Sequence, residues 1–365
     1  MLIIEIVDYL ETLAHPTLQE DYDNAGLLTG SKDWNCTGIL ISLDATEEVI
    51  LEAKEKGCNL IIAHHPIIFS GLKRITGVSY VEKAIISSIK NDIAIYAIHT
   101  NLDNVLKGVN GKMAEKIGLI NCRILKSKKS LIKKLFTFVP LAYTEAIRSA
   151  IFTAGAGEIR NYSECSFNAT GTGTFKAGEG TKPFVGEQGK RHEEDEMKIE
   201  VIFPAWKENA IVSALKRAHP YEEVAYDIIQ LDNEFQTVGS GIIGELETAS
   251  SENAFLDLLK TTFNLQVVRH TSLLQKPIKK VAICGGAGSF LTKTAIAAGA
   301  DIFVTADVKY HKFFDAENRL LLTDIGHWES EQFTIDLLAE ELSKKFPTFA
   351  VLKTGVKTNP VAYYF

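Results

Sequence analysis

The sequence has few cysteines, no long apolar run and no excess of basic residues. Its 365 residues include five widely separated cysteines with no Cys-x-x-Cys pair: Cys36, Cys58, Cys122, Cys165 and Cys284. This spacing argues against a cysteine-ligated zinc site and predicts reduced thiols in a cytoplasmic protein. The N-terminal stretch MLIIEIVDYL carries acidic residues and lacks a basic segment, so we expect no signal peptide.

Membranes and nucleic acids are disfavoured as partners. No uncharged stretch approaches the roughly 20 residues that span a bilayer. The formal net charge of -7 leaves no electrostatic footprint for generic nucleic-acid binding. Hydrophobic residues make up 46% and charged residues 23%, as in ordinary soluble globular proteins. The length predicts two or three domains.

Common catalytic signatures are also missing. No Ser/His/Asp or Cys/His nucleophile pattern occurs, and the glycine-rich stretch that begins at Gly171 lacks the Lys-Ser/Thr ending of a P-loop. Gly285-Gly-Ala-Gly-Ser289 lies between a predicted strand and a predicted helix. It has two interpretations, a tight turn or a set of backbone N–H groups offered to a phosphate.

Apolar runs separated by helical segments predict an α/β fold in the first and last thirds. The predicted strands are residues 38–44, 59–63, 93–98, 280–284, 299–305 and 319–323. The predicted helices are residues 4–14, 45–56, 79–90 and 290–298. Apolar runs without alternation indicate mostly parallel sheets that are covered on both faces.

The two outer thirds are similar to each other. Gly57-Cys-Asn-Leu-Ile-Ile-Ala-His-His aligns with Gly299-Ala-Asp-Ile-Phe-Val-Thr-Ala-Asp. We therefore predict a diverged duplication, in which residues 1–128 and 235–365 form two similar α/β halves of one core.

The middle of the chain follows a different pattern. Residues 129–234 predict an inserted ferredoxin-like α+β domain with the order βαβ-βαβ. Its predicted strands are residues 134–140, 163–170, 197–203 and 223–230, and its predicted helices are residues 144–154 and 207–218. The stretch 171–196, rich in glycine and charge, is predicted to be a mobile loop.

One spacing occurs twice, each time after a predicted strand: His99-Thr-Asn-Leu-Asp103 and His327-Trp-Glu-Ser-Glu331. The pair His64-His65 ends a third apolar run. Imidazole and carboxylate are ligands of divalent transition metals, and loops at the carboxyl ends of parallel strands converge. Each histidine alone would be a capping or core residue, but the set predicts a metal site.

The spacing also suggests how the ligands would be shared. Residues four apart at the start of a helix share a face, so His327 and Glu331 could hold one ion. Adjacent histidines on an extended chain point to opposite sides, so His64 and His65 fit two neighbouring ions better than one. A carboxylate such as Glu331 could bridge the two ions. His311 could line the site as a substrate contact or a proton shuttle.

These residues are part of a motif set that resembles the Nif-three-like family, often described as type 2 GTP cyclohydrolase I homologues. The motifs are Asp23-Asn-Ala-Gly-Leu27, Ala63-His-His-Pro66, His99-Thr-Asn-Leu-Asp103, Thr305-Ala-Asp-Val-Lys-Tyr-His311, Gly326-His-Trp-Glu-Ser-Glu331 and Thr358-Asn-Pro360. The middle segment is similar to the PII- and CutA-type insert of longer bacterial members. One departure is Asp23-Asn-Ala-Gly, where Gly-Asn-Xaa-Gly is common.

The resemblance implies a homohexameric toroid with two divalent metal ions in each subunit. The matching ligands are His64, His65, Asp103, His327 and Glu331, with Glu331 as the bridge and His99 as an outer or occasional ligand. Zinc is the expected metal, with manganese, iron and nickel as alternatives.

The sequence is compatible with two functions. The first is a two-metal hydrolase acting on a nucleotide or another phosphorylated small molecule, with GTP ring opening as one version and His99 or His311 moving a proton. The second is a non-catalytic metal-binding regulatory or assembly protein whose insert senses an effector.

Overall fold

The computed structural model describes residues 1–364 and forms most of the elements that the apolar runs predict. The chain divides into two units, a core unit (Met1–Ser127 with Gln236–Phe365) and an inserted unit (Lys128–Phe235). The first third contains α1 (Ile3–Leu13), β1 (Gly26–Thr29), β2 (Ile39–Ser42), α2 (Glu47–Glu55), β3 (Leu60–Ala63), α3 (Tyr80–Lys90), β4 (Ala94–Ala97), α4 (Thr100–Asp103), α5 (Val109–Ile117) and β5 (Ile120–Lys128).

The elements of the remaining two thirds continue in chain order. The inserted unit contains β6 (Ile132–Pro140), α6 (Thr144–Thr153), β7 (Phe167–Lys176), β8 (Arg191–Pro204), α7 (Glu208–Ala218) and β9 (Tyr226–Leu231). The last third contains β10 (Phe235–Ser250), α8 (Glu252–Thr262), β11 (Arg269–His270), β12 (Ile278–Ile283), α9 (Thr292–Ala297), β13 (Ile302–Thr305), β14 (Leu321–Asp324), α10 (His327–Glu331), α11 (Thr334–Lys345) and β15 (Val351–Lys353). Short 3-10 helices span Pro16–Leu18, Leu141–Tyr143, Ala205–Lys207, Ser289–Leu291 and Tyr310–Ala316.

Polar residues cap several of the helices that cover the sheets. The Ser79 hydroxyl accepts a hydrogen bond from the Glu82 N–H at 3.2 Å, at the start of α3. Ser251 accepts from the Ala254 N–H at 3.3 Å at the start of α8. Such caps satisfy donors that the first helical turn leaves unpaired, and each typically stabilises a helix by about 1 kcal/mol.

The core unit contains two sheets with related central strands. The first has the order β1-β4-β3-β2-β15 and is parallel except for β1. The second has the order β11-β14-β13-β12-β10-β5. Strands β12, β13 and β14 are parallel to one another, whereas β10 pairs antiparallel with β12 and β11 pairs antiparallel with β14. The expectation of a mostly parallel sheet is therefore correct for the first sheet and wrong for the second.

The two sheets do not correspond to the two sequence halves. Strand β15, near the C-terminus, pairs with β2 in the first sheet, where Leu352 lies opposite Leu40. Strand β5, from the first third, lies beside β10 in the second sheet. Each sheet thus contains a strand from the other part of the chain.

The first sheet is buried on both faces, as the apolar runs predict. Successive residues of β2 point to opposite sides, so Ile39 and Ile41 pack with α1 and α11 while Leu40 packs with α2. All four residues of β2 are buried, and the same holds for β3 and β4. Burial on both faces explains why these strands read as unbroken apolar runs.

The inserted unit has one antiparallel sheet with the strand order β7-β8-β6-β9. Helices α6 and α7 pack on the sheet through a cluster that includes Leu135, Ile147, Ile199 and Ile211. The prediction of a mobile loop over residues 171–196 is wrong at both ends of this range. Strand β7 continues to Lys176 and β8 begins at Arg191, because the two strands form a hairpin in which even Gly171 and Gly173 pair with β8.

A membrane-spanning helix is not found among residues 1–364, since no helix there is both long and apolar enough.

Candidate metal centre

Polar side chains of the core unit follow the carboxyl ends of the central strands of both sheets. In the first sheet these are Asp44 after β2, His64 and His65 after β3, and His99 and Asp103 after β4; in the second they are Asp307 after β13 and His327 after β14. Side chains at the carboxyl ends of parallel strands meet at one edge of a sheet. The structure brings members of both sets together around Glu331.

Glu331 lies at the centre of this group and is only 3% exposed. Its Oε2 atom is 2.8 Å from Nε2 of His65 and 3.2 Å from Nε2 of His327. The same oxygen is 3.8 Å from Nε2 of His64. Three imidazoles from two sheets therefore converge on one carboxylate oxygen.

Two buried atoms beside Glu331 have no hydrogen-bond partner within residues 1–364: Nε2 of His64 and Oδ1 of Asp103, which lie 3.7 Å apart. Nδ1 of His64 is 2.8 Å from the Ile98 carbonyl oxygen and must donate to it, which leaves a lone pair on Nε2. Burying such groups unpaired costs free energy, so a bound cation would satisfy both.

The two adjacent histidines do not point to opposite sides as an extended chain would require. Their ring centroids are 4.9 Å apart, and both rings face Glu331. The reason is that β3 ends at Ala63 and the backbone bends at His64 and His65, so the alternation of a strand no longer applies.

Each of three histidines at the site contacts a carboxylate through its other ring nitrogen. Nδ1 of His65 is 2.8 Å from Asp44, and Nδ1 of His327 is 2.7 Å from Asp307. Nδ1 of His99 is 2.8 Å from Asp23. These carboxylates fix the tautomer and orientation of each imidazole, as the outer partners of metal-binding histidines do.

Sequence reasoning assigned no role to these three carboxylates. A signal was nonetheless present, since Asp44 ends the predicted strand 38–44, Asp307 lies two residues after the predicted strand 299–305, and Asp23 belongs to the Asp-Asn-Ala-Gly motif. Asp23 stands where glycine is common in the family that the sequence resembles. In this chain it accepts hydrogen bonds from His99 and from the Thr100 N–H at 3.0 Å.

The carboxylate of Glu331 is ionised, and two of the nearby imidazoles, His65 and His327, bind protons more readily because of it. Burial by itself raises the pKa of Glu331, but hydrogen bonds from His327 and His65 outweigh it and hold the pKa well below its usual range. Burial also opposes protonation of His65, yet Asp44 and Glu331 raise its pKa to about 9. For His327, the bonds to Asp307 and Glu331 outweigh burial and raise the pKa to about 11.

The pKa values of the two groups without a hydrogen-bond partner, His64 and Asp103, are shifted in opposite directions. Burial lowers the pKa of His64 to about 3, so its imidazole is neutral over the physiological range. Burial, followed by the charge of Glu331, raises the pKa of Asp103 well above its usual value. Since the buried carboxylate of Glu331 is already ionised, Asp103 needs positive charge nearby in order to be ionised as well.

The glycine turn after β12 makes room for Glu331. A Cβ atom on Gly286, whose φ is +58°, would lie 2.4 Å from Oε1 of Glu331. The turn's N–H groups have partners within the protein: Gly285 donates to Asn110, Gly286 to the Ser330 hydroxyl, and Gly288 to the Thr305 hydroxyl. The tight-turn interpretation is therefore correct, and these three N–H groups do not form a phosphate cradle.

Two overlapping triads have ligand atoms within 4.8 Å of one another: His64, His65 and His99, and His65, His327 and Glu331. Asp103 lies beside the first triad through its contact with His64. The other sequence candidate, His311, is exposed on the 3-10 helix and its ring contacts Tyr310 and Phe314. The structure does not bring His311 together with the triads.

A cavity of about 420 Å³ opens beside His65 and His327. Trp328 and Arg269 also line it. The Arg269 guanidinium contacts Asp324 at 2.8 Å and lies 5.1 Å from the centre of the Phe313 ring. A small molecule in this cavity would therefore lie next to the second triad.

Known proteins similar to this chain match it over nearly its whole length. The family model Duf34/NIF3 (NGG1p interacting factor 3) matches residues 1–360. A Halalkalibacterium halodurans protein is 40% identical and a Bacillus subtilis protein is 36% identical, each over 98% of both chains. Both carry the name GTP cyclohydrolase 1 type 2 homolog.

A solved structure is also similar to this chain over its whole length. A Bacillus cereus protein related to NIF3 is 37% identical and superposes with a TM-score of 0.87, covering 100% of this chain and 99% of the other. The family resemblance inferred from the histidine and carboxylate motifs is thus confirmed, and this chain belongs to the DUF34/NIF3 family.

Proposed function

We propose that this protein is a metal-dependent hydrolase acting on a nucleotide or another phosphorylated small molecule. The observation that carries the proposal is the pair of unpartnered buried atoms, His64 Nε2 and Asp103 Oδ1, set beside a carboxylate that three imidazoles approach. The ligands we assign to two divalent ions are His64, His65, Asp103, His327 and Glu331.

The donor set fits such ions chemically. It consists of imidazole nitrogens and carboxylate oxygens, which suit zinc first and also manganese, iron and nickel. The carboxylate of Glu331 contacts histidines from both sheets, so it would be available to both ions. Bound divalent ions would lower the pKa of a coordinated water and polarise a phosphoryl or ring-carbon electrophile.

The chain's own residues would orient these groups and move a proton. Asp44 and Asp307 hold the rings of His65 and His327 by their Nδ1 atoms, so that Nε2 of each faces Glu331. Hydrogen bonds from His99 and Thr100 outweigh burial and lower the pKa of Asp23 to about 2, so its carboxylate is ionised. Nδ1 of His99 therefore keeps a proton toward Asp23, and its Nε2 can accept one from a reacting group.

The cavity beside His65 and His327 supports the choice of substrate class. Its wall carries a guanidinium, Arg269, which pairs with Asp324 and can also contact a phosphate, and an indole, Trp328, on which a planar base can stack. The wall also carries four carboxylates, so the divalent ions would have to accompany an anionic substrate: Asp44, Asp307, Asp324 and Glu329. The indole N–H of Trp328 is 3.3 Å from the Thr358 hydroxyl, which holds the ring at the cavity wall. GTP ring opening is one specific version of the proposed reaction.

The experiment is a turnover screen of the zinc-loaded, full-length protein with nucleoside triphosphates, monophosphates and simple phosphoesters. We expect turnover that disappears with a chelator and in Glu331→Ala. The matched control is Glu247→Ala, which removes an exposed carboxylate on β10 and should leave the rate unchanged. Metal binding without any turnover, or full turnover in Glu331→Ala, would overturn the hydrolase assignment.

We also propose that the inserted unit is a ferredoxin-like domain and that the core arose by duplication. The support for the first is the element order β6-α6-β7-β8-α7-β9 with the strand order β7-β8-β6-β9. The support for the second is the shared parallel core, β2-β3-β4 in one sheet and β12-β13-β14 in the other, each with an antiparallel strand beside its last member.

A further inference from the structure

The inserted unit contains a cavity of about 660 Å³ beside the edge strand β7. This volume lies in the range of roughly 300–1,000 Å³ that is typical of small-molecule sites. Aromatic side chains form much of the wall: Phe138, Phe175, Phe184 and Tyr221. The Tyr221 ring packs near two of the other rings. Its centre is 6.3 Å from the centre of the Phe175 ring and 6.2 Å from the centre of the Phe184 ring.

Three glutamates line this aromatic cavity: Glu222 and Glu223 are exposed, whereas Glu196 is only 9% exposed. Its Oε1 atom accepts a hydrogen bond from the Tyr221 hydroxyl at 3.0 Å. Within residues 1–364, no lysine, arginine or histidine forms an ion pair with Glu196. A carboxylate that is largely removed from water without a counter-ion is unfavourable, so a cationic partner would stabilise it.

Two basic side chains near Glu196, His219 and Lys198, are engaged elsewhere. Nε2 of His219 donates to the Phe138 carbonyl at 3.0 Å and its Nδ1 accepts from the Tyr221 N–H at 3.1 Å, which is the pattern of a neutral imidazole. Lys198 also lines the cavity, but its ammonium contacts Glu200 at 2.8 Å and lies 4.5 Å from the centre of the Phe136 ring. A further lysine of the cavity wall, Lys176, is exposed and forms no ion pair with Glu196 within residues 1–364.

The backbone leaves space for the Glu196 side chain. Gly173 on β7 lies against it, and a Cβ atom there would be 2.2 Å from Oε2 of Glu196. Any other residue at this position would push the carboxylate away from its place. Glu196 is thus held on one side by the Tyr221 hydroxyl and accommodated on the other by a residue without a side chain.

We propose that the inserted unit binds a small organic cation, an amine with an aromatic or apolar body, in this cavity with Glu196 as its counter-ion. The ammonium would face the Glu196 carboxylate and the aromatic faces, both of which attract positive charge. The body would pack on the aromatic wall, including Phe184, which is 48% exposed in the free protein. All residues that line this cavity belong to the inserted unit.

The test uses the full-length protein and two pairs of probes of nearly equal shape. Tryptamine and phenethylamine are the cations, and tryptophol and 2-phenylethanol are their neutral counterparts. Binding is measured by saturation-transfer NMR and calorimetry. We expect each amine to bind at least about tenfold more tightly than its alcohol. In Glu196→Gln, which keeps the shape and an acceptor for Tyr221, this preference should vanish.

The matched control is Glu194→Gln, on the same strand and outside the cavity wall, where Glu194 contacts His192 at 2.8 Å. It should leave amine binding unchanged. Gly173→Ala gives a second test that retains the charge, and we expect it to weaken amine binding about tenfold by displacing the carboxylate. Circular dichroism verifies that each variant is folded.

Three results would overturn the proposal. The first is that neither amine binds with a dissociation constant below about 1 mM. The second is equal affinity for amine and alcohol, or an undiminished preference in Glu196→Gln. The third is self-association through the surface around the cavity. This would be shown if Phe184→Ala converts an oligomer to a smaller species and no amine binds, because a second copy of the chain would then cover the cavity.

Discussion

Nε2 of His65 lies 2.8 Å from Oε2 of Glu331, although 266 positions separate the two residues in the chain. His65 follows β3 of the first sheet, and Glu331 ends the short helix α10 after β14 of the second. This contact joins the carboxyl ends of two sheets, so the triad of His65, His327 and Glu331 depends on both being folded.

Replacing Glu331 by glutamine should abolish tight metal binding. The variant keeps the shape but removes the charge that three imidazoles approach, so zinc affinity should fall by more than the roughly 10–100-fold that follows loss of an outer partner. Competition titration with a chromogenic chelator measures the change. Glu247→Gln, which alters an exposed residue of β10, is the control. An unchanged zinc affinity in Glu331→Gln would exclude this residue as a ligand.

Replacing Asp44 or Asp307 by asparagine should weaken metal binding without unfolding the protein. Each carboxylate accepts a hydrogen bond from Nδ1 of a candidate ligand, His65 or His327, and makes that imidazole more basic. We expect a loss of about 10–100-fold in zinc affinity for each variant. Asp257→Asn, on the exposed side of α8, is the control. Affinity equal to that of the parent would show that these contacts are only structural.

The metal-free protein should become less stable as the pH rises from about 6.5 to about 9. The folded pKa of His65 is raised from 6.5 to about 9, so its contribution to the free energy of unfolding is present below pH 6.5 and is lost as the pH passes about 9. His327, with a pKa raised to about 11, acts in the same direction over a wider range. Urea denaturation at several pH values in the presence of a chelator measures the slope of the free energy of unfolding against pH.

The control for the pH experiment is zinc itself. Bound metal takes the place of the protons on His65 and His327, so the apparent zinc affinity should increase over the same pH range. The variant with both Asp44→Asn and Asp307→Asn should show a shallower slope when metal-free. His270→Gln, an exposed histidine on β11, should not change the slope. A metal-free protein that gains stability as the pH rises would contradict the protonation pattern.

Gly286→Ala should disturb Glu331 directly. The new Cβ would lie 2.4 Å from Oε1 of Glu331, at a residue whose φ of +58° already disfavours a side chain. We expect a loss of about 1–3 kcal/mol in the free energy of unfolding, together with weaker zinc binding. Gly57→Ala is the matched control, since Gly57 has a φ of +69° and nothing within 4 Å of the added atom.

The control separates backbone strain from displacement of the carboxylate. Gly57→Ala should lower stability by about 1 kcal/mol and leave zinc affinity at the level of the parent protein. Equal zinc affinity in both alanine variants would mean that Gly286 does not help to position Glu331.

Local sequence predicted most of the buried strands because each is a short apolar run closed by a turn. Strands β2, β3, β4, β12, β13 and β14 are all formed near their expected positions. The 16-residue β10 was not predicted, and neither was the pairing of β15 with β2. Strand pairing between distant segments has no local signature, and the glycines and charges of 171–196 suggested a loop where a hairpin forms.

The sequence by itself determined the family, and it predicted the types of candidate metal ligand and the three chain segments that carry them. A histidine four residues before a carboxylate and a His-His pair at strand ends are local patterns, and local patterns survive in a single sequence. Only the tertiary structure decided that His64 and His65 face the same carboxylate, that Asp44 and Asp307 orient imidazoles, and that His311 lies apart from them. Those relationships join residues that are distant in the chain, and they arise from the packing of strand ends.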